Sequence, residues 1–238
     1  MSFIDIPTEQ TTAATDLVLA MQAIAIRCSI ARSPSVQTLG MRIWSWIFSL
    51  LIVVSTLGAV AHGIQMTASI NVAIWIPLYL ALGVIITLLA VAAVSHAWDD
   101  ALARRCLPMA ITTGIAFFAV TQWWSDSFLL FIIYEGVTMT AALGLYLWCF
   151  WRAETRHGSG FLALGLMAGI LAAVVDTQST LQVECVWVFN NHGIFHMVQM
   201  LSLLLLAIGL HRSLGSHETQ VDSPSHQPVA CPQASPNS

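Results

Sequence analysis

Seven long apolar runs follow one another along this chain, and they constrain its fold more than any other feature. A bilayer core is crossed by roughly 20 apolar residues in an α-helix, and most of the runs approach or exceed that length. Backbone groups cannot stay unpaired in hydrocarbon, so we predict that each run is a helix. The runs are residues 13–30, 41–65, 72–96, 106–122, 127–151, 160–178 and 191–210. The chain is therefore predicted to be all-α, a polytopic membrane protein built as a seven-transmembrane helix bundle.

The composition agrees with this fold class and excludes several functions. Apolar residues make up 57% of the chain and charged residues only 8%, whereas about 25% of the residues in a soluble domain are charged. The basic residues are eight arginines and the net charge is −4, so no basic patch favours nucleic acid as a partner. The five cysteines form no CxxC pair, and they predict neither a zinc finger nor a disulfide framework.

The arginines predict how the helices are oriented. With seven spans, all eight fall on one side of the membrane, and the positive-inside rule makes that side cytoplasmic. The N-terminus is then outside and the C-terminus inside. Residues 1–12 are a polar lead, and residues 13–213 form the transmembrane domain. Residues 214–238 are rich in Ser, Pro, Gln and His, so they are predicted to be a disordered cytoplasmic tail.

This orientation places several ionisable residues at one depth, in the outer half of the bundle. His62 lies near the outer end of the second run, and His192 and His196 open the seventh. Glu135 lies in the outer half of the fifth run, and Asp16 opens the first. Ionisable groups are costly inside a membrane and commonly mark a functional site. These five residues are therefore the candidate site residues.

The histidines have the spacing of a metal site, because residues four apart lie on one face of a helix. Neutral imidazole is a good zinc ligand, so His62, His192 and His196 are predicted to bind zinc and to leave one coordination position for water. Glu135 or Asp16 would act in catalysis by moving a proton or orienting an imidazole. The alternative is a hydrogen-bonded polar cluster that fixes helix packing, with Asp16 as a cap of the first helix.

Two further patterns concern packing. The sixth run carries Gly165, Gly169 and Ala172 on one face, a small-residue stripe that lets helices approach closely. We expect this stripe to pack within the chain. Asn190 and Asn191 precede the seventh helix and are expected to cap it.

At its histidines the chain resembles the superfamily of seven-span metal-dependent hydrolases that includes the alkaline ceramidases and adiponectin-receptor-like proteins. The resemblance rests on the seven-span plan, on Ala61-His62-Gly63 late in the second span, and on the HxxxH from His192 to His196. It implies that these histidines bind zinc. It also implies that the chain hydrolyses a lipid amide or a related lipid bond, with a membrane lipid as its partner.

The chain departs from that superfamily at two positions. The serine found four residues before the second-span histidine is Gly58 here, and the third-span aspartate has no counterpart, with Asn71 in that region. Glu135 or Asp16 would replace these groups. The pattern is also similar to an uncharacterised bacterial seven-span family, and that similarity implies no activity.

Three functions follow from these patterns. The first is a zinc-dependent intramembrane hydrolase acting on a lipid, with its site in the outer half of the bundle. The second is a non-enzymatic receptor, sensor or transporter with a polar outer pocket. The third is a haem protein with His62 and one histidine of the seventh helix as axial ligands. The lysine-free chain with short loops suits a bacterial plasma membrane.

Overall fold

The computed structural model describes residues 2–32, 38–123, 127–152, 158–178 and 180–221, which form seven α-helices and two short antiparallel strand pairs. The helices are α1 (Pro7–Ala31), α2 (Leu39–Gly63), α3 (Ala68–Ala97), α4 (Asp100–Trp123), α5 (Ser127–Trp151), α6 (Ser159–Asp176) and α7 (Asn191–Val221). The strands are β1 (Ser2–Phe3), β2 (Ile64–Gln65), β3 (Gln182–Glu184) and β4 (Val188–Asn190). All seven helices contain a segment long and apolar enough to cross a membrane. The prediction of an all-α fold with seven apolar helices is therefore confirmed.

The first helix begins earlier than the sequence predicted, at Pro7 rather than near residue 13. Proline suits the first helical turn, because the N–H that it lacks would have no partner there. Thr11 and Thr12 donate side-chain hydrogen bonds to the carbonyls of Pro7 and Thr8, so these polar residues are satisfied within the helix. Much of the predicted polar lead is thus helical.

The last helix continues further than the sequence predicted. α7 runs to Val221, so its final turns lie within the segment that we expected to be a disordered tail. Residues 222–238 of that segment lie outside the described residues. The bounds of α5, residues 127–151, agree with the prediction.

Six of the helices form a closed ring. Each helix of the ring contacts the next, in the order α1, α2, α3, α5, α6 and α7, and α7 contacts α1 to close the ring. α4 packs mainly against α3 on the outside of the ring. Among the described residues of α4, Ala103 and Gly114 alone are buried. The core therefore lies between the other six helices, and its largest fully buried side chains include Tyr146, Phe48 and Leu162.

The ring has two chemically different ends. We call the end at which α2 and α6 finish the histidine end, because it holds His62, His192 and His196. The opposite end, at which α2, α4 and α6 begin, is called the arginine end. The arginines among the described residues lie towards it, and they are Arg27, Arg32, Arg42, Arg104, Arg105, Arg152 and Arg212.

The two strand pairs lie at the histidine end. β1 pairs with β2 directly after α2, and β3 pairs with β4 directly before α7. The second pair is joined to α1, since Oγ1 of Thr11 lies 2.5 Å from the Val188 carbonyl oxygen and Oγ1 of Thr12 lies 3.1 Å from Oδ1 of Asn190. The start of α1 thus contacts the second strand pair, and the residues before α1 form one strand of the first pair.

The small-residue stripe of α6 packs against α7, as expected. A Cβ atom on Gly165 would lie 2.7 Å from Cγ of Leu206, so a larger residue would not fit. The Ser202 hydroxyl donates to the Gly165 carbonyl at 2.8 Å. The stripe therefore serves contact within the chain.

Candidate functional site

His62 lies at the end of α2, where it meets an acid from the first turn of α1. Its Nδ1–H donates to Oε2 of Glu9 at 2.7 Å. The His62 side chain is 15% exposed, and the edge of Trp75 packs against the ring with centroids 5.5 Å apart. The ring is therefore held from two sides, by a carboxylate and by an indole.

His192 lies in the first turn of α7, opposite the last residue of α6. Its Nδ1–H donates to Oδ1 of Asp176 at 2.6 Å. The start of α7 is fixed because the Asn190 side chain accepts a hydrogen bond from the Gly193 N–H at 2.9 Å, which confirms that Asn190 caps this helix. Asn191 instead donates to the Asp176 carbonyl at 2.7 Å. Both asparagines thereby hold His192 beside α6.

His196 lies one turn further along α7 and faces α1. Its Nδ1 is 2.9 Å from Oγ1 of Thr15. The Thr15 hydroxyl donates its own proton to the Thr12 carbonyl, so Oγ1 is left to accept a hydrogen bond from Nδ1–H of His196. The Nε2 atom of His196 lies 3.4 Å from Oδ1 of Asp16. His196 is 8% exposed and Asp16 5% exposed.

The three imidazoles are neighbours, and each uses Nδ1 for a hydrogen bond. The ring centroids of His62 and His192 are 6.1 Å apart, and His196 is close enough for its charge to interact with both. In each ring, Nδ1 is hydrogen-bonded to a side-chain oxygen from α1 or α6. We call the residues that supply these oxygens, Glu9, Asp176 and Thr15, the outer partners of the rings. Within the described part of the chain, Nε2 of His62 and Nε2 of His192 have no hydrogen bond. Nε2 is therefore the free nitrogen of His62 and His192, whereas Nε2 of His196 faces the Asp16 carboxylate.

Three imidazoles are suitable zinc ligands, but the rings are not positioned to coordinate one metal ion in this structure. Across residues 2–221, apart from the undescribed gaps, no three His, Cys, Asp or Glu side chains are positioned to hold a metal ion. A histidine that binds a metal through Nε2 commonly donates Nδ1–H to a carboxylate or another oxygen. All three rings have an oxygen partner of this kind on Nδ1, from Glu9, Asp176 and Thr15.

Asp16 does not cap a helix, and that interpretation is wrong. α1 begins at Pro7, so Asp16 lies in the third turn, with its carboxylate packed against Gly58 of α2. A Cβ atom on Gly58 would lie 2.7 Å from Oδ2 of Asp16. A serine at position 58 would require this carboxylate to move. Asp16 thus occupies the space that a side chain at position 58 would fill.

Glu135 lies on α5 and is half-buried. It is close enough to Asp176 for the two charges to interact. It forms no hydrogen bond with the three histidines among the contacts of the described residues. Of the two acids suggested by the sequence, Asp16 is therefore the one that meets an imidazole.

A cavity of about 310 Å³ lies beside the site, between α3, α4 and α5. It is mostly apolar and is lined by Val72, Trp75, Ile76, Tyr79, Thr121, Gln122 and Phe131. Trp75 forms part of this lining and also packs against His62. A single side chain thus links the cavity to the histidine cluster.

Residues 11–214 match the model of a protein family, DUF6962, described as a family of unknown function. The chain belongs to this family. No curated protein matches it, and no solved structure matches it. The part of the chain shared with the DUF6962 family contains Thr15, Asp16 and the three histidines, while Glu9 lies just before it. The resemblance to the seven-span hydrolases stays a prediction.

Sequence reasoning missed two of the outer partners, Glu9 and Thr15. Glu9 was assigned to the polar lead, and Thr15 was considered only as a first-turn residue. If residues 7–16 form a helix, Glu9, Thr12 and Asp16 lie on one face of it, because they are three and four positions apart. Pro7 was the available signal that the helix begins there.

Proposed function

We propose that this member of the DUF6962 family is an integral membrane protein with its histidine end outside and its arginine end in the cytoplasm. Seven apolar helices of sufficient length support this proposal. The position of the described arginines at one end of the bundle also supports it, because positive residues favour the cytoplasmic side. The N-terminus is then outside and the C-terminus inside. A bacterial plasma membrane is the proposed location.

We propose that His62, His192 and His196 hold zinc through their Nε2 atoms. The supporting observation is that all three rings direct Nδ1 to an outer oxygen, on Glu9, Asp176 or Thr15 respectively. Such a partner selects the tautomer with its lone pair on Nε2. Zinc, when bound, supplies a Lewis acid that polarises a carbonyl group.

The proposed reaction is hydrolysis of a lipid amide or a related lipid bond, with Asp16 as the group that moves the proton. Its carboxylate is buried and faces Nε2 of His196 at 3.4 Å. It is suited to take a proton from the water that attacks the lipid carbonyl and to give it to the leaving amine. The amide bond then breaks to a free acid and an amine, and Asp16 returns to its starting state.

The cavity beside Trp75 supports a lipid as the substrate. Its lining is mostly apolar, and Thr121 and Gln122 supply its polar groups. An apolar chain held there would keep the polar bond of the same molecule near His62. The membrane itself would be the source of this substrate.

An amide-lipid hydrolysis assay on the purified protein in liposomes tests the proposed reaction. We expect turnover by the wild type and a loss on the order of 100-fold in Asp16→Asn, which is typical for removal of a proton-transfer group. His211→Ala is the matched control, since His211 lies on the same helix as His196 but at the arginine end. Full turnover by Asp16→Asn would refute the role of Asp16.

A non-enzymatic receptor or transporter is the second candidate. It is favoured by the His192 side chain, which is 42% exposed, and by the hydrogen bond that each ring already makes through Nδ1 without a metal. This candidate predicts ligand binding or ion flux at the histidine end without product formation. Zinc-dependent lipid turnover would count against it.

A further inference from the structure

Glu9 is held in place by the start of the chain. It is the third residue of α1, where a carboxylate is favoured by the positive end of the helix dipole. The residues before it are fastened to the end of α2, because β1 pairs with β2 and the Ile4 N–H donates to the Gly63 carbonyl at 3.1 Å. Gln10 also donates to the Ile4 carbonyl at 2.7 Å. Residues 2–10 therefore form a strap that contacts His62 through Glu9.

The contact between Glu9 and His62 has the same form as the contact between Asp176 and His192. In each pair, a carboxylate accepts the Nδ1–H at 2.6 or 2.7 Å. The two acids come from different helices, α1 and α6. A carboxylate on Nδ1 fixes the ring orientation and leaves the lone pair on Nε2.

We propose that Glu9 is a positioning residue, which holds His62 in the Nδ1–H tautomer with Nε2 turned towards the other two histidines. The strap is then part of the site, because it supplies one of the two carboxylates that orient the rings. This inference rests on the proposed zinc function, but the tautomer that it predicts can be observed without metal.

Zinc affinity of the full-length protein, measured by competition with a chelator, is the first test. We expect Glu9→Ala to weaken zinc binding by roughly 10- to 100-fold, the usual effect of losing an outer partner of a ligand histidine. Glu9→Gln should weaken it less, because the amide oxygen still accepts the Nδ1–H bond. Glu184→Gln is the control, since Glu184 is an exposed acid at the same end; we expect its affinity to be unchanged.

The second test is nitrogen-15 NMR of histidine-labelled protein without metal, with the His62 signals assigned by comparison with His62→Gln. The wild type should show His62 with its proton on Nδ1, and Glu9→Ala should shift the proton towards Nε2. Glu9→Gln provides the same comparison with a side chain of nearly the same size, in case Glu9→Ala does not fold.

The two tests separate the two proposals. A tautomer shift in a protein that binds no zinc would uphold the role of Glu9 and overturn the zinc function. Zinc binding by the wild type, with the same affinity and the same tautomer in Glu9→Ala and Glu9→Gln, would overturn the role of Glu9. Weaker zinc binding with an unchanged tautomer would also overturn it, since the effect would then be structural.

Discussion

The two ends of the bundle use their carboxylates for different purposes. At the arginine end, Asp100 accepts hydrogen bonds from the backbone N–H groups of Leu39 at 2.8 Å and Gly40 at 3.3 Å, and from the Ser95 hydroxyl at 2.6 Å. Asp99 accepts from the Leu102 N–H at 2.7 Å. These acids satisfy the first turns of α2 and α4, which would otherwise have unpaired donors.

At the histidine end, the acids face imidazoles instead. Glu9 and Asp176 each accept an Nδ1–H, and Asp16 faces Nε2 of His196. α7 is capped by the Asn190 side chain, so no acid is needed there for capping. The comparison indicates which carboxylates belong to the fold and which are available for chemistry.

Gly58→Ser should have the largest effect, because it affects both packing and the site. A Cβ atom would lie 2.7 Å from Oδ2 of Asp16, and overpacking of this kind costs about 1–3 kcal/mol of stability. We also expect loss of zinc binding as Asp16 and α1 are displaced. Thermal unfolding and chelator competition in detergent measure the two effects.

The double variant Gly58→Ser/Asp16→Ala is the matched comparison. Removal of the carboxylate makes space for the serine, so the double variant should be more stable than Gly58→Ser alone. Additive destabilisation by the two changes would show that the contact between α1 and α2 does not limit this position.

Asp100→Ala should lower stability without affecting the site. It removes the acceptor for two helix N–H groups and a hydroxyl, and loss of a helix cap costs about 0.5–2 kcal/mol. Zinc content should equal that of the wild type, as measured by elemental mass spectrometry. A loss of zinc in this variant would mean that the two ends are coupled through the bundle.

Asp176→Asn should have the opposite pattern, with a small effect on stability and a clear effect on zinc. The His192 side chain is 42% exposed, and partly exposed pairs contribute roughly 0–1 kcal/mol to stability. We expect zinc affinity to fall about 10-fold, since Asp176 orients His192. Chelator competition measures this change, and an unchanged affinity would contradict the role of Asp176.

Glu135→Gln should have the smallest effect. Glu135 is half-buried and makes no hydrogen bond to the histidines within the described residues, so neither zinc content nor lipid turnover should change by more than about twofold, well below the effect expected of a proton-transfer group. The liposome assay used for Asp16→Asn provides the measurement. A loss as large as that of Asp16→Asn would mean that Glu135 enters the site.

The sequence predicts the helices and the depth of the histidines, but not which acids meet them. Apolar runs mark helices because the backbone must be paired in hydrocarbon, and a rise of about 1.5 Å per residue converts position into depth. Depth does not say which way a side chain points around the bundle. Asp16 and Glu135 are therefore equal candidates in the sequence, whereas in the structure Asp16 faces His196 and Glu135 makes no hydrogen bond to the histidines among the described residues.

The sequence also predicts the wrong start for α1, near residue 13 rather than at Pro7, and the reason is different. Residues 8–12 are all polar, so the sequence predicts a lead rather than a helix there. In the structure, side-chain hydrogen bonds to nearby carbonyls and to β4 satisfy these threonines. These contacts across the bundle depend on the tertiary fold, and no local pattern contains them.

Zinc content per protein distinguishes a metal site from a hydrogen-bonded histidine cluster. Elemental mass spectrometry should be applied to the detergent-purified wild type, to His196→Ala and to the control His211→Ala. We expect about one zinc per chain in the wild type and in His211→Ala, as three protein ligands bind a single catalytic zinc, and little in His196→Ala. No zinc in the wild type, or full zinc in His196→Ala, would contradict the metal site and leave the histidines as a hydrogen-bonded cluster.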